Sequence, residues 1–398
     1  MKKLPLVMAL SAASLCTMAN AQSSVQVYGK FYPYIEQESG SGASPAGTPV
    51  STLAATPAGV TGVPKIKGMS AGNSNIGFRG KERIADGVNA EFQIEGVVAV
   101  DTGNPAGFTW NRNGFVGLDT RFGEVRLGIM DTVFKEYGDT LGILGISSGT
   151  PVSSSNILRK IGFGTSNNAR FHERRTNSIR YDSPEAGGFQ MGFQGATQEN
   201  STPAVASAKT WSLGVKYDSG PLYLALAYEI HDNWFGGSSN APPAMRNNGA
   251  ADRVTSKDTA LQATMEFRLS KDHKIEFDVI GKKYAENAVV NGRFQNYQNS
   301  AFMVAYEGRF GPWRFMTHYV KSAAGNCSRL AAACDTTGLD GQQLTAGLSY
   351  TFSRRTNVFG AISQVTNGPS ARYAANDFGT ANPGEDSRHL MAGIVHSF

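Results

Sequence analysis

The sequence predicts an all-β protein, a 16-stranded antiparallel transmembrane β-barrel, and three observations support this fold class. Apolar and polar residues alternate along short segments through almost the whole chain. Short turns and long loops alternate between these segments, which number sixteen, an even number as expected for a closed antiparallel barrel. Each segment has about the ten residues that a tilted strand needs to cross a bilayer. Closure of such a sheet leaves no unpaired edge in lipid.

Residues 1–21 have the layout of a secretory signal peptide, so we expect a barrel domain over residues 22–398. Lys2 and Lys3 precede a short apolar run, and Ala19-Asn20-Ala21 provides the small residues of a cleavage site. The formal net charge is +5, and about +3 once the two leader lysines are removed. This charge is mild and the chain has no run of five like charges, so we expect no nucleic-acid partner.

The alternation is clearest in the two segments that flank the turn at 218–220. From Trp211 to Tyr217 every second residue is large and apolar, and the residues between them are Ser, Gly and Lys. From Leu222 to Tyr228 the apolar residues again share one parity. A soluble β-sandwich also alternates, but strict alternation of short turns with long loops is typical of an outer-membrane barrel.

The turns and loops divide the chain into sixteen predicted strands. The strands lie at about 24–37, 71–84, 87–98, 109–120, 123–131, 173–183, 188–196, 208–218, 221–231, 257–269, 273–285, 298–309, 312–322, 341–352, 355–366 and 387–398. The long loops lie at about 38–70, 99–108, 132–172, 197–207, 232–256, 286–297, 323–340 and 367–386. Aromatic residues gather beside the short turns, as in the girdle at the periplasmic interface.

The last ten residues, "HLMAGIVHSF", keep one apolar parity as far as Phe398. We therefore expect Phe398 to end the sixteenth strand and to pair with the first strand, where the barrel closes.

Cys327 and Cys334 are the two cysteines outside the leader. In an oxidising compartment we expect them to form a disulfide, which would contribute roughly 2–3 kcal/mol for so short a loop. Two free thiols are the alternative. A zinc site is not expected, because two cysteines without a nearby His supply only half a ligand set.

Three stretches of the sequence resemble the trimeric general porins of betaproteobacteria. They are "NSNIGFRGKERIADGVNAEFQIEG", "NGFVGLDTRFGEVRLGIMD" and "RRTNSIRYDSPEAGGFQMGF", and the terminal aromatic residue completes the likeness from Ser24 to Phe398. The resemblance implies a homotrimer in the cell outer membrane, in contact with lipid and lipopolysaccharide, with one aqueous channel per subunit. It also implies insertion by the outer-membrane assembly machinery, which reads a C-terminal aromatic signal, here Phe398.

The resemblance further implies an infolded third outer loop that sets the narrowest part of the channel, by position residues 132–172. The residues agree, because about forty residues are too many for a simple connection. The loop begins with charged residues and continues into an apolar, Gly-rich stretch that could lie against the inner wall. A disordered surface loop is the alternative.

Diffusive transport of small hydrophilic solutes and ions needs a water-filled bore, a constriction and charge placed there. In "NSNIGFRGK" the apolar residues Ile76 and Phe78 point to lipid, so Arg79 and Lys81 point inward. The predicted basic wall of the constriction consists of Arg79, Lys81, Arg112, Arg126, Arg174 and Arg180. The predicted opposing acids, beside or within the third loop, are Asp131, Glu136 and Asp139.

Arg112 does not fit strict alternation, because it shares parity with the lipid-facing Val116 and Leu118. A bulge near Gly114, or a strand that begins beyond Arg112, would turn it inward. The basic excess predicts a mild preference for anions. Asn75 stands where anion-selective relatives tend to have arginine, which argues against strong selectivity.

Two other functions were weighed. A substrate-selective channel for a small sugar or carboxylate would show a track of aromatic residues along the lumen, and few aromatic residues have that parity. The six histidines form no HExxH motif, and no Walker A, GxGxxG or EF-hand pattern occurs. We therefore expect no enzymatic activity, no cofactor and no metal.

Overall fold

The computed structural model describes residues 24–105, 107–138, 140–142, 144, 149–199, 207–249, 252–375 and 379–398. The predicted signal peptide lies outside this part of the chain. The described residues form one sheet of nineteen strands and one short α-helix, α1 (Val133–Tyr137). The strands are β1 (Ser24–Phe31), β2 (Tyr34–Ser41), β3 (Ile66–Ser70), β4 (Asn75–Ala85), β5 (Val88–Val97), β6 (Gly114–Thr120), β7 (Gly123–Asp131), β8 (Arg174–Asp182), β9 (Phe189–Thr197), β10 (Lys209–Ser219), β11 (Leu222–Asp232), β12 (Ser256–Arg268), β13 (His273–Glu286), β14 (Phe294–Phe310), β15 (Trp313–Ser322), β16 (Asn326–Arg329), β17 (Gly341–Thr351), β18 (Thr356–Asn367) and β19 (Asp386–Ser397).

These segments make a closed barrel of sixteen antiparallel strands, as predicted. β1 and β2 are two parts of one strand, interrupted at Tyr32-Pro33, where proline has no N–H to donate. β3 and β4 are likewise two parts of the second strand, which pair with β2 and β1 respectively. β16 pairs with the first residues of β14, while β15 pairs directly with β17. β19 pairs with both β1 and β2, which closes the barrel.

The side chains reverse the usual arrangement of a water-soluble core. On β11, Leu224 and Leu226 point outward and are 40% and 48% exposed, while Glu229 and His231 point inward and are fully buried. The same alternation runs through most of the other strands. A continuous apolar outer face with polar residues inside is the pattern of a barrel that contacts lipid and encloses water.

The connections differ in length at the two ends of the barrel. At one end the turns are as short as two residues, as between β4 and β5 or between β14 and β15. At the other end the connections are mostly long, and the longest described stretches join β2 to β3 and β7 to β8. Short periplasmic turns and long extracellular loops identify the two sides of an outer-membrane barrel.

The C-terminal residue pairs with the first strand, as expected from the sequence. The Phe398 amide donates to the Gly29 carbonyl at 3.1 Å, and the Gly29 amide donates to the Phe398 carbonyl at 3.3 Å. The Phe398 ring packs edge-on against Phe31, with 5.1 Å between the ring centroids. The seam of the barrel is therefore held by main-chain hydrogen bonds and by an aromatic pair.

One predicted strand begins later than expected. The sequence placed the fourth strand at about 109–120, but β6 begins at Gly114. Arg112 lies before the strand, and its amide donates to the Glu95 carbonyl at 3.1 Å. Strand alternation therefore does not apply to Arg112, and of the two explanations considered, the later strand start is correct.

Cys327 and Cys334, the pair expected from the sequence, are joined by a disulfide with 5.7 Å between their Cα atoms. The disulfide links β16 to the connection that leads to β17. No helix in the described part of the chain is long and apolar enough to cross a membrane.

Candidate functional site: the charged barrel interior

The connection between β7 and β8, here called the 132–172 segment, begins with α1 against the inner face of the barrel. Thr132 caps the helix by accepting the Lys135 amide at 3.3 Å. Helix and wall approach closely because β10 carries glycine there: a Cβ atom on Gly214 would lie 2.8 Å from the Tyr137 ring. The Phe134 amide donates to the Ser212 hydroxyl at 2.9 Å. Helix α1 is thus both packed and hydrogen-bonded to the wall.

Beyond α1, main-chain carbonyls of the 132–172 segment accept hydrogen bonds from inward-pointing side chains of the barrel. The donors and acceptors are Gln262 to Gly138 (3.0 Å), Lys274 to Thr140 (2.6 Å), Asn357 to Leu144 (3.1 Å), Gln343 to Pro151 (3.2 Å), His318 to Val152 (2.8 Å), Lys282 to Leu158 (3.0 Å) and to Lys160 (2.6 Å), and Tyr284 to Ala169 (2.6 Å). The donors come from β12, β13, β15, β17 and β18. The described parts of the segment therefore lie along the inner wall between β9 and β18.

A buried arginine and an aromatic residue strengthen this attachment. Arg159 is 2% exposed; its Nε donates to Gln262 Oε1 at 2.9 Å, and its Nη2 donates to the Gly138 carbonyl. Near the end of the segment Phe171 stacks on His231 with 4.5 Å between the ring centroids. Burying a guanidinium requires that its donors be satisfied, and carbonyl and amide acceptors satisfy them here.

The opposite wall, formed by β1 and β4 to β8, carries most of the predicted basic residues. Arg79 on β4 is exposed, its Nε donates to Gln26 Oε1 at 2.9 Å, and its guanidinium lies 4.8 Å from the centre of the Tyr28 ring. No carboxylate of the described residues forms a salt bridge with Arg79. Lys81, also exposed, pairs with Asp119 at 2.5 Å.

Arg112 points to the same side as these residues, because it forms an ion pair with Glu95. Glu95 also accepts a hydrogen bond from the Tyr28 hydroxyl at 3.0 Å. Arg112 is therefore connected to Arg79 through Glu95 and Tyr28. Sequence reasoning did not single out Tyr28 and Glu95; their inward parity was the available signal.

Arg126 and Arg180 meet at one buried carboxylate. Arg126 Nη2 lies 2.5 Å from Asp182, and Arg180 Nε lies 2.7 Å from the same carboxylate. Arg180 is 1% exposed, and its Nη1 also contacts Glu136 of α1 at 2.5 Å. Arg180 thus connects the wall to the start of the 132–172 segment, while the Glu136 side chain remains half-exposed.

Tyr137 completes this cluster by donating its hydroxyl to Asp182 at 3.2 Å. Burial, together with the Asp182 carboxylate, raises the pKa of the Tyr137 hydroxyl above its usual value. Tyr137 therefore remains a neutral donor at physiological pH.

Arg174 and Asp131 form a salt bridge at 3.0 Å, and Arg174 Nε also donates to Asn113 at 2.9 Å. The neighbouring Arg175 is buried and lies 3.1 Å from His231. The register of β7 and β8 shifts between Gly128 and Met130, so the inward parity of Arg180 does not continue back to residue 174. Nothing in the sequence indicated that Arg175 would be the arginine that contacts His231 on β11. Asp139, the remaining predicted acid, lies outside the described residues.

Comparison with known proteins identifies similar chains. A family model described as Gram-negative porin matches residues 7–370. Outer membrane porin protein 32 of Delftia acidovorans is 26% identical over 344 residues, which cover 82% of this chain and 85% of that protein. The fold resembles the anion-selective porin from Comamonas acidovorans, with a TM-score of 0.67, 21% identity and coverage of 94% and 100% of the two chains. It also resembles the in-vitro folded trimer form of OmpT of Vibrio cholerae, with a TM-score of 0.61, 13% identity and coverage of 94% and 99%.

Proposed function

Because this chain belongs to the Gram-negative porin family and is a diffusion channel of the outer membrane, we propose that its third outer loop, the 132–172 segment, is infolded and sets the narrowest part of the channel. Small hydrophilic solutes and ions then pass between this segment and the wall of β1 and β4 to β8. One observation carries the proposal: side chains on five strands hold the carbonyls of the segment against the opposite wall.

The charges that line this passage favour anions mildly. Lys81, Arg112, Arg126, Arg174 and Arg180 each have a carboxylate partner, so each is largely neutralised. Arg79 is exposed and has Gln26 and Tyr28 beside it instead. An uncompensated cation in a narrow aqueous passage raises the local concentration of anions without excluding cations. The anion selectivity named for the Comamonas acidovorans porin is in keeping with this sign.

Two measurements test this function. In planar bilayers the reversal potential under a salt gradient should indicate a modest preference for anions. In liposomes, swelling with neutral sugars of graded size should show a size cutoff without saturation. A saturable or blockable conductance for one sugar or carboxylate would instead support a substrate-selective channel, and a rate that is independent of solute size would contradict the infolded loop.

The functional unit is proposed to be a homotrimer. The trimer form of the OmpT neighbour supports this proposal, and the apolar outer face of the barrel supplies surface both for subunits and for membrane lipid, including lipopolysaccharide. Phe398 is proposed to act as the C-terminal signal for the outer-membrane assembly machinery, and residues 1–21 as the cleaved export signal. Cross-linking of intact cells tests the trimer, and deletion of Phe398 should lower the amount of protein inserted.

A further inference from the structure

A groove crosses the outer face of the barrel where β13 carries a glycine. Gly281 lies in register between Leu261 on β12 and Ser300 on β14. A Cβ atom placed on Gly281 would have nothing within 4 Å, whereas the Leu261 side chain stands out from the sheet and is 47% exposed. The resulting groove has a volume of about 550 Å³. Leu261 and Tyr228 form its apolar side, and its other side is lined by polar residues that include Gln298 and Ser300. A groove of this kind on a lipid-facing surface accepts an acyl chain.

Lysines stand at the outer end of this groove. Lys283 is two residues beyond Gly281 on the same face of β13, and it lies opposite Thr259 of β12. Lys257 is two residues beyond Thr259, so the two lysines are diagonal neighbours, about 7–8 Å apart at the main chain. Both are exposed, and neither forms a salt bridge with a described residue. Two ammonium groups at this spacing can share one phosphate.

A second, more polar cavity lies directly above, towards the long loops. Its volume is about 620 Å³, and Lys257 and Lys209 are among its lining residues. The row of outward-pointing residues in this cavity is Lys209, Asp232, Lys257 and Ala285 on neighbouring strands. Asp232 lies between Lys209 and Lys257, and its negative charge offsets one of their two positive charges. Two of the three lysine charges therefore remain in excess, and Lys257 and Lys283 lie immediately above the apolar side of the groove.

We propose that Lys257, Lys283 and the groove over Gly281 form a binding site for lipid A, with a phosphate held by the two lysines and an acyl chain in the groove. The site is at the end of the barrel that carries the long loops, which is the outer leaflet. Lipid A is the outer-leaflet lipid that combines phosphate groups with several acyl chains on a rigid headgroup. The site deepens the proposed contact with lipopolysaccharide and is independent of the route that solutes take.

Binding of diphosphoryl lipid A to the purified, delipidated protein, measured by native mass spectrometry in detergent, tests the site. Lys257→Gln combined with Lys283→Gln should weaken binding roughly thirtyfold, because the loss of each lysine near an anionic headgroup weakens binding roughly fivefold and the two factors multiply. Gly281→Phe, whose Cβ atom has nothing within 4 Å, places a ring in the groove and should weaken binding roughly tenfold while leaving the charges intact. Lys321→Gln, which removes another exposed outward-pointing lysine, should change binding less than about twofold.

The single-channel conductance serves as the second readout, because Gly281 and both lysines point away from the lumen. All variants should conduct like the wild type, which shows that they have folded. Unchanged lipid A binding in both the double lysine variant and Gly281→Phe would overturn the site. Phosphatidylglycerol that bound as tightly as lipid A, with the same losses in the variants, would overturn lipid A as the occupant. A wild-type protein without conductance would contradict the channel function and not this site.

Discussion

Arg79→Glu is the most direct test of the proposal that the Arg79 charge sets the ion preference. Arg79 is exposed and has no carboxylate partner among the described residues, so its whole charge acts on passing ions. An ion about 6 Å from the guanidinium in water has a Coulomb energy of roughly 0.7 kcal/mol, which screening at 0.1 M salt reduces to roughly 0.4 kcal/mol. Charge reversal changes the energies of a cation and of an anion by roughly 0.8 kcal/mol each, in opposite directions.

These energies predict a change of roughly fifteenfold in the ratio of anion to cation permeability. A mild preference for anions would therefore become a preference for cations, and the reversal potential in a salt gradient would change sign. Arg79→Lys keeps the charge and should leave the ratio within about twofold of wild type. Raising the salt concentration should shrink the difference between the two variants. An Arg79→Glu channel with the wild-type ratio at low salt would refute the assignment of Arg79 to the passage.

Three further predictions concern the attachment of the 132–172 segment and the outer loops. Lys282→Met removes the donor to the Leu158 and Lys160 carbonyls, so single-channel recordings should show more frequent closures, whereas Lys321→Met should not. Gly214→Ala places a methyl group 2.8 Å from Tyr137 and should displace α1 and change the conductance, while Gly281→Ala, with nothing within 4 Å, should leave it unchanged. Reduction of the Cys327–Cys334 disulfide should increase proteolysis of that loop without altering conductance. The disulfide restricts the conformational entropy of the unfolded loop by roughly 2–3 kcal/mol, and this effect is local to the loop.

The strands could be predicted because their signal is local. A lipid-facing strand needs an apolar residue at every second position, and β10 and β11 show this pattern without reference to any other part of the chain. The break at Pro33 was not predicted, because the first strand was expected to run without interruption over 24–37; the signal was Pro33 itself, since proline cannot donate to a ladder. The parity of Arg112 suggested either a later start of β6 or a bulge near Gly114, but the composition of residues 109–113 could not decide between them.

The interior was harder to predict because its contacts are between residues far apart in the sequence. The alternation of side chains along β8 correctly predicts that Arg180 points inward, but it does not predict that Arg180 forms ion pairs with Asp182 and Glu136. The register shift opposite Gly128 places Asn177 in a left-handed conformation with φ +50°. Asn tolerates that conformation better than most residues, but one Asn is too weak a signal to predict a bulge. The result is that Arg175, and not Arg174, contacts His231.

Buried and exposed arginines of the interior should respond differently to substitution. Arg159 and Arg180 are almost completely buried, and their donors hold the 132–172 segment to the wall. Arg79 is exposed, and its described contacts are with the Gln26 and Tyr28 side chains. Loss of a buried arginine leaves acceptors unpaired and frees the segment, so it should change conductance and closure frequency first. Loss of the exposed arginine changes the potential in the passage, so it should change selectivity at nearly constant conductance.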